Sequence, residues 1–559
     1  MSLSSDWIGA LATAVFAILG YRYLVYPAVF SPLARIPNAH WSAPFSRAWI
    51  LWIRWAHREN GTLYRAHRRL GPVIRLGPNE LSINDLDSVR TVYQGGFEKP
   101  AWYSVFDNYG YGAQIPHGDP ELSLRNTRKT SAPKSVPCMF SARPAPEHSA
   151  RKRLISHVYS KSYIQSSTAA AAQSQAIIFD RFLPIIEASV AESQKPHGVD
   201  IYSIFMAATM DFVAAYIFGL GKGTNFLGNK AYREHFLELY RARNDYGYYD
   251  QEMPRLTKFC RTVGIPLCPK WVDGANKELG EWCLGLCAKM GHVFDSDCPS
   301  QAEPPDQPTV WDALVGGLRK EAARNGQASV LYPTALSNPE LSVASELLDH
   351  VLAGQETAGL TLSYLCWRLS QSLELQAQLR AELLSLSPNM QLDGNGTPSV
   401  PDPKQLDGLP LLHAVLMETL RRHPPIPGAQ PRQTPDSGCR IGPYAVPGGV
   451  RVAASAYALH RDEAIFPEPE KWDHTRWLPW AADESQLKER NRQFWAFSSG
   501  GRMCIGSNFA MHEMKLIIAA IYSNYTTHIV DDEGMEHQSD GYTGRPEHEQ
   551  LFLRFEKVG

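Results

Sequence analysis

Residues Phe497 to Gly506 read FSSGGRMCIG, and this stretch decides the fold. Its cysteine, Cys504, stands on a glycine-rich turn, and apolar residues at helical spacing follow from Ala510 to Ile521. Free amides and the helix dipole at the start of a helix favour a thiolate over a thiol. A lone thiolate in this setting can act as a nucleophile, a redox thiol or a metal ligand.

The residues around Cys504 favour the metal ligand. The motif contains no base for a nucleophile and no second cysteine for a redox pair. Gly500 and Gly506 allow the backbone to approach a large, flat group, and Arg502 supplies a fixed cation for an anion. These features suit an iron macrocycle with carboxylate side arms.

The stretch resembles the ligand loop of the cytochrome P450 superfamily. The resemblance covers roughly residues 36 to 559 and implies a fold that is mainly α with small β-sheets (α+β), in one large heme domain. Two strand-like pieces, residues 72–76 and 80–83, fit the small sheets. The family pattern Phe-x-x-Gly-x-Arg-x-Cys-x-Gly is met at Phe497, Gly500, Arg502, Cys504 and Gly506.

A Glu-x-x-Arg motif is the second match. Glu418 and Arg421 stand three residues apart in a helical run, so both charges lie on one face. The resemblance implies a buried, structural cluster of this pair with a further arginine, here Arg476. The family usually has Pro-Glu before that arginine, whereas this chain has His474-Thr475.

The longest helical signal, residues 338–386, carries the third match. A glycine in a helix interior costs about 1 kcal/mol relative to alanine, so the AGQETA sequence at its centre requires a reason. The resemblance implies that Ala353 and Gly354 leave a groove over the iron for dioxygen. It also implies that Thr357, with Glu356, delivers protons, while Ala358 departs from the family's hydroxyl residue.

The remaining cofactor residues come from the resemblance alone. It implies that Cys504 is the axial ligand of heme b. A weaker match at EHSARKRL, residues 147–154, offers His148 and Lys152, with Arg153 as the alternative to Lys152. The implied cofactor-binding set, propionate contacts included, is Cys504, Arg502, Arg432, His148, Lys152, Phe497, Gly354 and Ala353.

The amino terminus predicts a membrane anchor. The run from Trp7 to Phe30 is apolar except for Arg22, and a spanning helix needs about 20 residues. Basic residues follow the span, which places the rest of the chain on the cytoplasmic side. We expect a single-pass endoplasmic reticulum protein, with an anchor and proline hinge over residues 1–35 and a catalytic domain over residues 36–559.

Composition excludes several other classes of protein. The chain has 559 residues and a formal net charge of -2, so no global electrostatic argument favours nucleic acid. Its nine cysteines are an odd number, which fits a reducing compartment better than a disulfide scaffold. Cys283 and Cys287 lack a histidine at ligand spacing, so we expect no zinc site there. Residues 118–137 match no motif.

The resemblance implies a monooxygenase that inserts one oxygen atom of O2 into a lipophilic small molecule, by hydroxylation or epoxidation. The chain has no nucleotide-binding fingerprint, so electrons would come from NADPH through a separate flavoprotein reductase, with cytochrome b5 as a further electron donor. The sequence looks most like fungal members of secondary metabolism. Aromatic-rich segments at residues 101–114 and 240–271 are expected to contact the substrate.

Two alternatives stay open. A heme-thiolate isomerase, dehydratase or peroxygenase could use the same fold, although such enzymes often lose the threonine that Thr357 retains. A non-catalytic heme-binding scaffold is the other alternative, and the intact Cys504 argues against it. A requirement for NADPH, reductase and oxygen separates the three.

Overall fold

The computed structural model describes residues 5–109, 135–191, 198–294, 302–392 and 398–558, and helices dominate it. The predicted fold class, mainly α with small β-sheets, is confirmed. Of the stretch 118–137, only the last three residues are among those described. The α-helices are α1 (Ser5–Gly20), α2 (Ala48–Trp55), α3 (Glu59–Leu70), α4 (Leu86–Val89), α5 (Ala145–Ile155), α6 (Lys161–Ser166), α7 (Thr168–Gln175), α8 (Leu183–Ala191), α9 (Ile201–Phe218), α10 (Lys230–Asp245), α11 (Gly247–Glu252), α12 (Pro254–Thr262), α13 (Lys270–Ala288), α14 (Thr309–Asn325), α15 (Pro339–Ser370), α16 (Leu373–Leu383), α17 (Pro403–Asp407), α18 (Pro410–Arg422), α19 (Ala456–Leu459), α20 (Glu484–Gln493) and α21 (Ser507–Asn524).

Short strands and tighter or wider helical turns complete the fold. The strands are β1 (Val73–Gly77), β2 (Glu80–Ile83), β3 (Val199–Asp200), β4 (Arg432–Gln433), β5 (Cys439–Ile441), β6 (Tyr444–Val446), β7 (Arg451–Ala453), β8 (Tyr525–Asp531) and β9 (Phe552–Lys557). The 3-10 and π-helical segments are Tyr21–Phe30, Pro32–Arg35, Arg90–Gln94, Ala101–Phe106, Ala176–Phe182, Pro304–Asp306, Gly326–Ala328, Tyr332–Leu336, His474–Trp477 and Gly500–Arg502.

The chain forms two compact units. The smaller unit comprises the chain up to Pro100 together with Pro427–Pro469 and Arg492–Met503. The larger unit comprises Ala101–Ile426, Glu470–Asn491 and the chain from Cys504 onwards.

A four-stranded sheet in the order β1-β2-β7-β4 organises the smaller unit. β1 and β2 are antiparallel, with Val73 opposite Ile83. β2 pairs in parallel with β7, with Leu81 opposite Val452. These four side chains are buried in one core, so both predicted strands are confirmed.

Two long helices form the centre of the larger unit. α9 is buried along almost its whole length, and it packs on the 32-residue α15. A Cβ atom on Gly354 would lie 2.8 Å from Cγ2 of Val213, and one on Gly359 would lie 2.7 Å from Sδ of Met206. The glycines of α15 therefore allow the two helices to approach closely.

No residue of the amino-terminal helical segment Gly9–Phe30 is classed as buried. Residues Gly9–Phe30 form a continuous apolar helical segment of 22 residues, none of it buried, which is compatible with the predicted membrane anchor. α9 is also long and apolar enough to span a membrane, but 94% of it is buried inside the protein. The predicted division at residue 35 stays a prediction, although Leu33 is already in the core of the smaller unit.

Candidate functional site

The middle of α15 opens one narrow face to the surroundings. From Leu341 to Trp367 every residue is buried except Asp349, Ala353, Gly354 and Thr357. Asp349, Ala353 and Thr357 are spaced four residues apart, so they lie on the same side of the helix. We call these three residues the open face.

The open face brings together two of the residues predicted to adjoin dioxygen. Ala353 is exposed, and Thr357 is half-buried with its hydroxyl donating to the Ala353 carbonyl at 2.8 Å. Gly354 turns towards Val213 of α9, so its missing side chain allows helix packing. Ala358, which departs from the family pattern, is buried and lies off the open face.

Glu356 lies next to Thr357 in sequence but is turned into the protein. Its carboxylate accepts hydrogen bonds from Nε of Arg545 at 2.6 Å, from the Tyr240 hydroxyl at 2.9 Å and from the Thr543 hydroxyl at 3.1 Å. Glu356 is 3% exposed, so this is a buried ion pair with two further donors. The structure therefore does not place Glu356 on the open face, and its part in proton delivery stays a prediction.

The partners of Glu356 were not singled out from the sequence. Arg545 and Thr543 lie almost two hundred residues further along the chain, in a turn before β9. Tyr240 comes from α10. Neither periodicity nor a motif links such distant positions, so only the folded chain reveals the cluster.

Cys504 stands three residues before α21, as the sequence predicts. Its side chain keeps an exposed surface, yet the surrounding protein desolvates the sulfur enough to raise the pKa of the thiol above its ordinary value. The amides of Gly506 and Ser507 and the Lys152 ammonium act in the opposite direction but are weaker. The expected helix effect is therefore present but outweighed, and coordination to a metal would be needed to hold the thiolate.

Lys152 and Arg153 of α5 differ in their burial and in the charged groups near them. Lys152 is half-buried, and burial lowers its pKa, while the nearby Cys504 raises it. Arg153 is exposed, and its charge helps instead to lower the pKa of Glu321. The geometry favours Lys152 over Arg153 as the residue on the Cys504 side of α5. His148, one turn earlier, is buried.

The other basic candidates belong to the smaller unit. The Arg432 guanidinium lies 4.8 Å from the centre of the Tyr93 ring. Gly500 has a φ of 74°, and a Cβ atom there would lie 2.2 Å from the Tyr93 carbonyl oxygen, so only glycine fits. Tyr93, missed in the sequence, therefore contacts both Arg432 and the ligand loop. Arg502 ends a short 3-10 turn that begins at Gly500.

Phe497 opens the ligand loop in the same unit. It is half-buried, and its ring centroid lies 6.4 Å from that of Phe494. A half-buried aromatic ring at the start of the loop offers an apolar surface to a flat cofactor. Its part in heme binding stays a prediction.

The Glu-x-x-Arg motif forms a buried cluster. Arg421 donates two hydrogen bonds of 2.8 Å to the Glu418 carboxylate, and both side chains are fully buried. Arg476 lies 3.4 Å from the same carboxylate. The structure brings the three predicted residues together although His474 and Thr475 depart from the family pattern. Asp473 caps the 3-10 turn His474–Trp477, and its backbone amide donates to the Glu418 carboxylate at 2.8 Å, which holds Arg476 close to Glu418.

The available donors fit a heme. The larger unit supplies a cysteine sulfur, a half-buried lysine beside it and a helix face that carries a carboxylate, a hydroxyl and no bulky side chain. By contrast, the described part of the chain holds no group of three His, Cys, Asp or Glu residues suited to a bare metal ion.

A mainly helical fold with a cysteine on a glycine-rich turn before a long helix defines the class of heme-thiolate proteins. The family model "Cytochrome P450" matches residues 328–551. Cytochrome P450 monooxygenase avaI of Aspergillus versicolor is 28% identical over 80% of this chain and 93% of its own length. Cytochrome P450 monooxygenase atr2 of Stereocaulon alpinum is 26% identical over 92% of this chain and 88% of its own length. Cytochrome P450 monooxygenase hkm5 of Aspergillus hancockii is 25% identical over 89% of this chain and 85% of its own length. The chain carries a cytochrome P450 domain over residues 328–551, and relatives that align with most of its length are named cytochrome P450 monooxygenases.

Proposed function

We propose that this chain is a membrane-anchored enzyme that hydroxylates or epoxidises a lipophilic small molecule in the biosynthesis of a secondary metabolite. The observation that carries the proposal is that the larger unit holds both Cys504 and the open face of α15, where the charge of Asp349 acts on the Cys504 sulfur. The resemblance to fungal monooxygenases over most of the chain supports the same conclusion.

Different residues of this chain would bind different parts of a heme. Cys504 would bind the iron, and Phe497 would pack on the ring. Lys152 and His148 of α5, with Arg432 and Arg502, would bind the propionates through charged hydrogen bonds. When bound, a thiolate-ligated heme activates dioxygen, because electron donation by sulfur favours O–O cleavage.

Thr357 is the residue that would handle protons on the open face. Its hydroxyl group donates a hydrogen bond to the Ala353 carbonyl, and its oxygen can accept a hydrogen bond from water. Such a hydroxyl can pass protons along the open face. Glu356 would join this relay only by turning away from Arg545. A carboxylate with three donors, one of them a guanidinium, is held strongly in place.

An aromatic cluster supports a lipophilic substrate. Phe106 lies 5.0 Å from Phe140 and 5.1 Å from Tyr542 between ring centroids, and Trp102 lies 6.1 Å from Tyr542. All four rings are half-buried. Two of them belong to the described part of the segment predicted to contact the substrate. Tyr542 precedes Thr543, so the hydrogen bond from Thr543 to Glu356 ties this cluster to α15.

The exposed apolar helix over Gly9–Phe30 supports membrane attachment, which we propose is at the endoplasmic reticulum with the catalytic domain on the cytoplasmic side. A second exposed apolar region lies around α12, where Phe259 is 62% and Ile265 is 69% exposed. Such a region would favour entry of a lipophilic substrate from the bilayer.

The electron source distinguishes this function from its alternatives. A monooxygenase requires NADPH, a flavoprotein reductase and oxygen, with cytochrome b5 as a further donor. We would reconstitute the full chain with a fungal reductase and measure product formation with each component omitted in turn. Product without NADPH or oxygen would favour an isomerase or dehydratase, product with peroxide alone a peroxygenase, and no product in any mixture a scaffold.

A further inference from the structure

The apolar amino-terminal helix meets the sheet of the smaller unit at a buried arginine, Arg75. We call Ser5–Phe30, which is helical throughout, the anchor helix. Arg75 of β1 is 1% exposed, and its guanidinium donates to three backbone carbonyls. One is Pro27 in the last turn of the anchor helix, at 2.9 Å, and the others are Gly77 at 3.2 Å and Pro78 at 3.0 Å.

Backbone carbonyls, one of them from the anchor helix, surround the charge of this arginine. Burial lowers the pKa of Arg75 to about 10, so the guanidinium stays charged at neutral pH. In the part of the chain that the structure describes, Arg75 forms no ion pair with a carboxylate. The last carbonyls of a helix lack partners within the helix and carry partial negative charge. Arg75 therefore caps the anchor helix, and the helix end in turn stabilises a buried cation.

The chain after the anchor helix is also attached to the sheet. Leu33 and Ile36 are each 1% exposed and belong to the core of the smaller unit. The amide of Arg75 donates to the Pro37 carbonyl at 2.8 Å, and the amide of Ala39 donates to the Arg75 carbonyl at 2.9 Å. The predicted proline hinge is thus packed against the protein.

An exposed aromatic surface follows directly. Trp41 is 77% exposed, Trp52 53% and Trp55 55%. Trp52 and Trp55 belong to α2, whose Arg54 bonds to Glu80 of β2 at 2.6 Å, so α2 is fixed to the same sheet. We call Trp41, Trp52 and Trp55 the tryptophan surface. Tryptophan is the residue type that prefers the interface between membrane and water.

We propose that Arg75 fixes the anchor helix to the β1–β2 sheet and so holds the tryptophan surface in the headgroup layer of the bilayer that the anchor helix spans. The inference rests on the proposed function in one respect, namely that the anchor helix crosses the membrane. Continuity of the chain from the anchor helix to the tryptophan surface, without a free linker, favours lipid over a protein partner.

The first test measures whether the junction is rigid. Full-length protein in phospholipid vesicles would be treated with trypsin, and release of residues 1–35 by cleavage after the exposed Arg35 would be followed by mass. Arg75→Met should accelerate this cleavage on the order of tenfold, because charged hydrogen bonds close the junction. Insertion of three glycines after Phe30 should act similarly. Arg47→Met, which removes a different arginine beside Glu80, is the matched control and should leave the rate unchanged.

The second test measures where the tryptophan surface lies. Quenching of tryptophan emission by lipids brominated near the headgroup would be compared among variants in the same vesicles. The background carries Phe in place of Trp7 and of the exposed Trp271, which follows the apolar region around α12. Replacing Trp41, Trp52 and Trp55 by Phe should remove most of the quenchable emission. Trp480→Phe, which removes an equally exposed tryptophan of the larger unit, should leave the quenchable emission unchanged.

The outcomes separate the inference from the proposed function. A chain that does not float with vesicles would overturn both the anchor and this inference. A chain that floats, but whose tryptophan surface is not quenched, would leave the anchor intact and assign the surface to a protein partner or a second copy. Equal cleavage rates for the native chain and Arg75→Met, with the heme spectrum of both intact, would overturn the role of Arg75.

Discussion

Glu418 shows how strongly a single residue can depend on its partners. It is fully buried and faces both Arg421 and Arg476, so its removal would leave two buried guanidinium groups without their carboxylate. We expect Glu418→Gln to lower the free energy of unfolding by about 3–5 kcal/mol. Denaturant unfolding followed by heme absorbance would measure this loss. Glu463→Gln, which breaks an exposed pair with Arg68, should cost less than about 1 kcal/mol, and equal losses would refute the cluster's importance.

Substitution of Thr357 tests the proposed proton transfer most directly. Thr357→Ala keeps the helix but removes the hydroxyl from the open face. We expect product formation per NADPH consumed to fall, and the turnover rate to drop about 100-fold, in line with loss of a proton-transfer group. Ser363→Ala removes a buried hydroxyl with the same hydrogen bond to the carbonyl four residues earlier, and it should change turnover little. Similar losses in both variants would indicate a purely structural role.

His67 makes the stability of the smaller unit depend on pH. Its ring nitrogens bond to the Gly71 carbonyl at 3.0 Å and the Ser82 hydroxyl at 2.8 Å, and burial lowers its pKa from 6.5 to about 4. Since the unfolded chain binds a proton below pH 6.5 and the folded chain does not, stability is complete above pH 6.5 and declines towards pH 4.

The presence of His67 predicts a slope in the plot of unfolding free energy against pH. Between pH 6.5 and 4, His67 makes the unfolding free energy of the native chain fall by about 1.4 kcal/mol per pH unit, and this contribution should be absent from His67→Gln. Urea unfolding of the native chain and the variant at a series of pH values would measure the difference. An unchanged slope in His67→Gln would contradict the assignment.

At the scale of elements, the contact between α9 and α15 depends on missing side chains. Alanine at Gly354 would gain about 1 kcal/mol in helix propensity, but its Cβ would lie 2.8 Å from Val213. Because overpacking costs about 1–3 kcal/mol, we expect Gly354→Ala to lower the melting temperature.

A compensating change tests that contact directly. Val213→Ala creates the space that the new methyl group needs, so the double variant should be more stable than the sum of the two single changes predicts. Calorimetry of the four proteins in this cycle would measure the coupling. Additive effects would mean that the glycine is not required for helix packing.

The same elements show what periodicity alone reveals. The apolar spacing over residues 338–386 predicts one long helix, whereas the structure ends α15 at Ser370 and begins α16 at Leu373, where the Ser372 hydroxyl caps the second helix. The strand-like pieces at residues 72–76 and 80–83 predict β1 and β2 within one residue. The side on which Glu356 points could not be predicted, because its partner Arg545 comes from a distant turn. The docking of Leu33 was also missed, since a proline-flanked leucine after an apolar helix gives no sign of its core neighbours.

At the scale of the whole molecule, the ligand loop carries the resemblance to the family. Its five matched positions specify an aromatic ring, a cysteine, an arginine and two glycines at fixed spacing. The sequence also correctly implies a largely helical protein with small sheets. It does not predict the balance of effects on Cys504, where desolvation outweighs the amides that favour the thiolate. That balance depends on protein atoms packed around the sulfur from across the larger unit.

The most direct test of the heme-thiolate assignment is the difference spectrum of the reduced full-length protein with carbon monoxide. We expect a strongly red-shifted Soret band in the native chain and in Cys260→Ala, a control at a half-buried cysteine elsewhere. Cys504→Ala should abolish the shifted band while circular dichroism shows that the helices remain. A folded native protein with only an unshifted band, or a Cys504→Ala variant that keeps the shifted band, would contradict the assignment of Cys504 as the ligand of the heme iron.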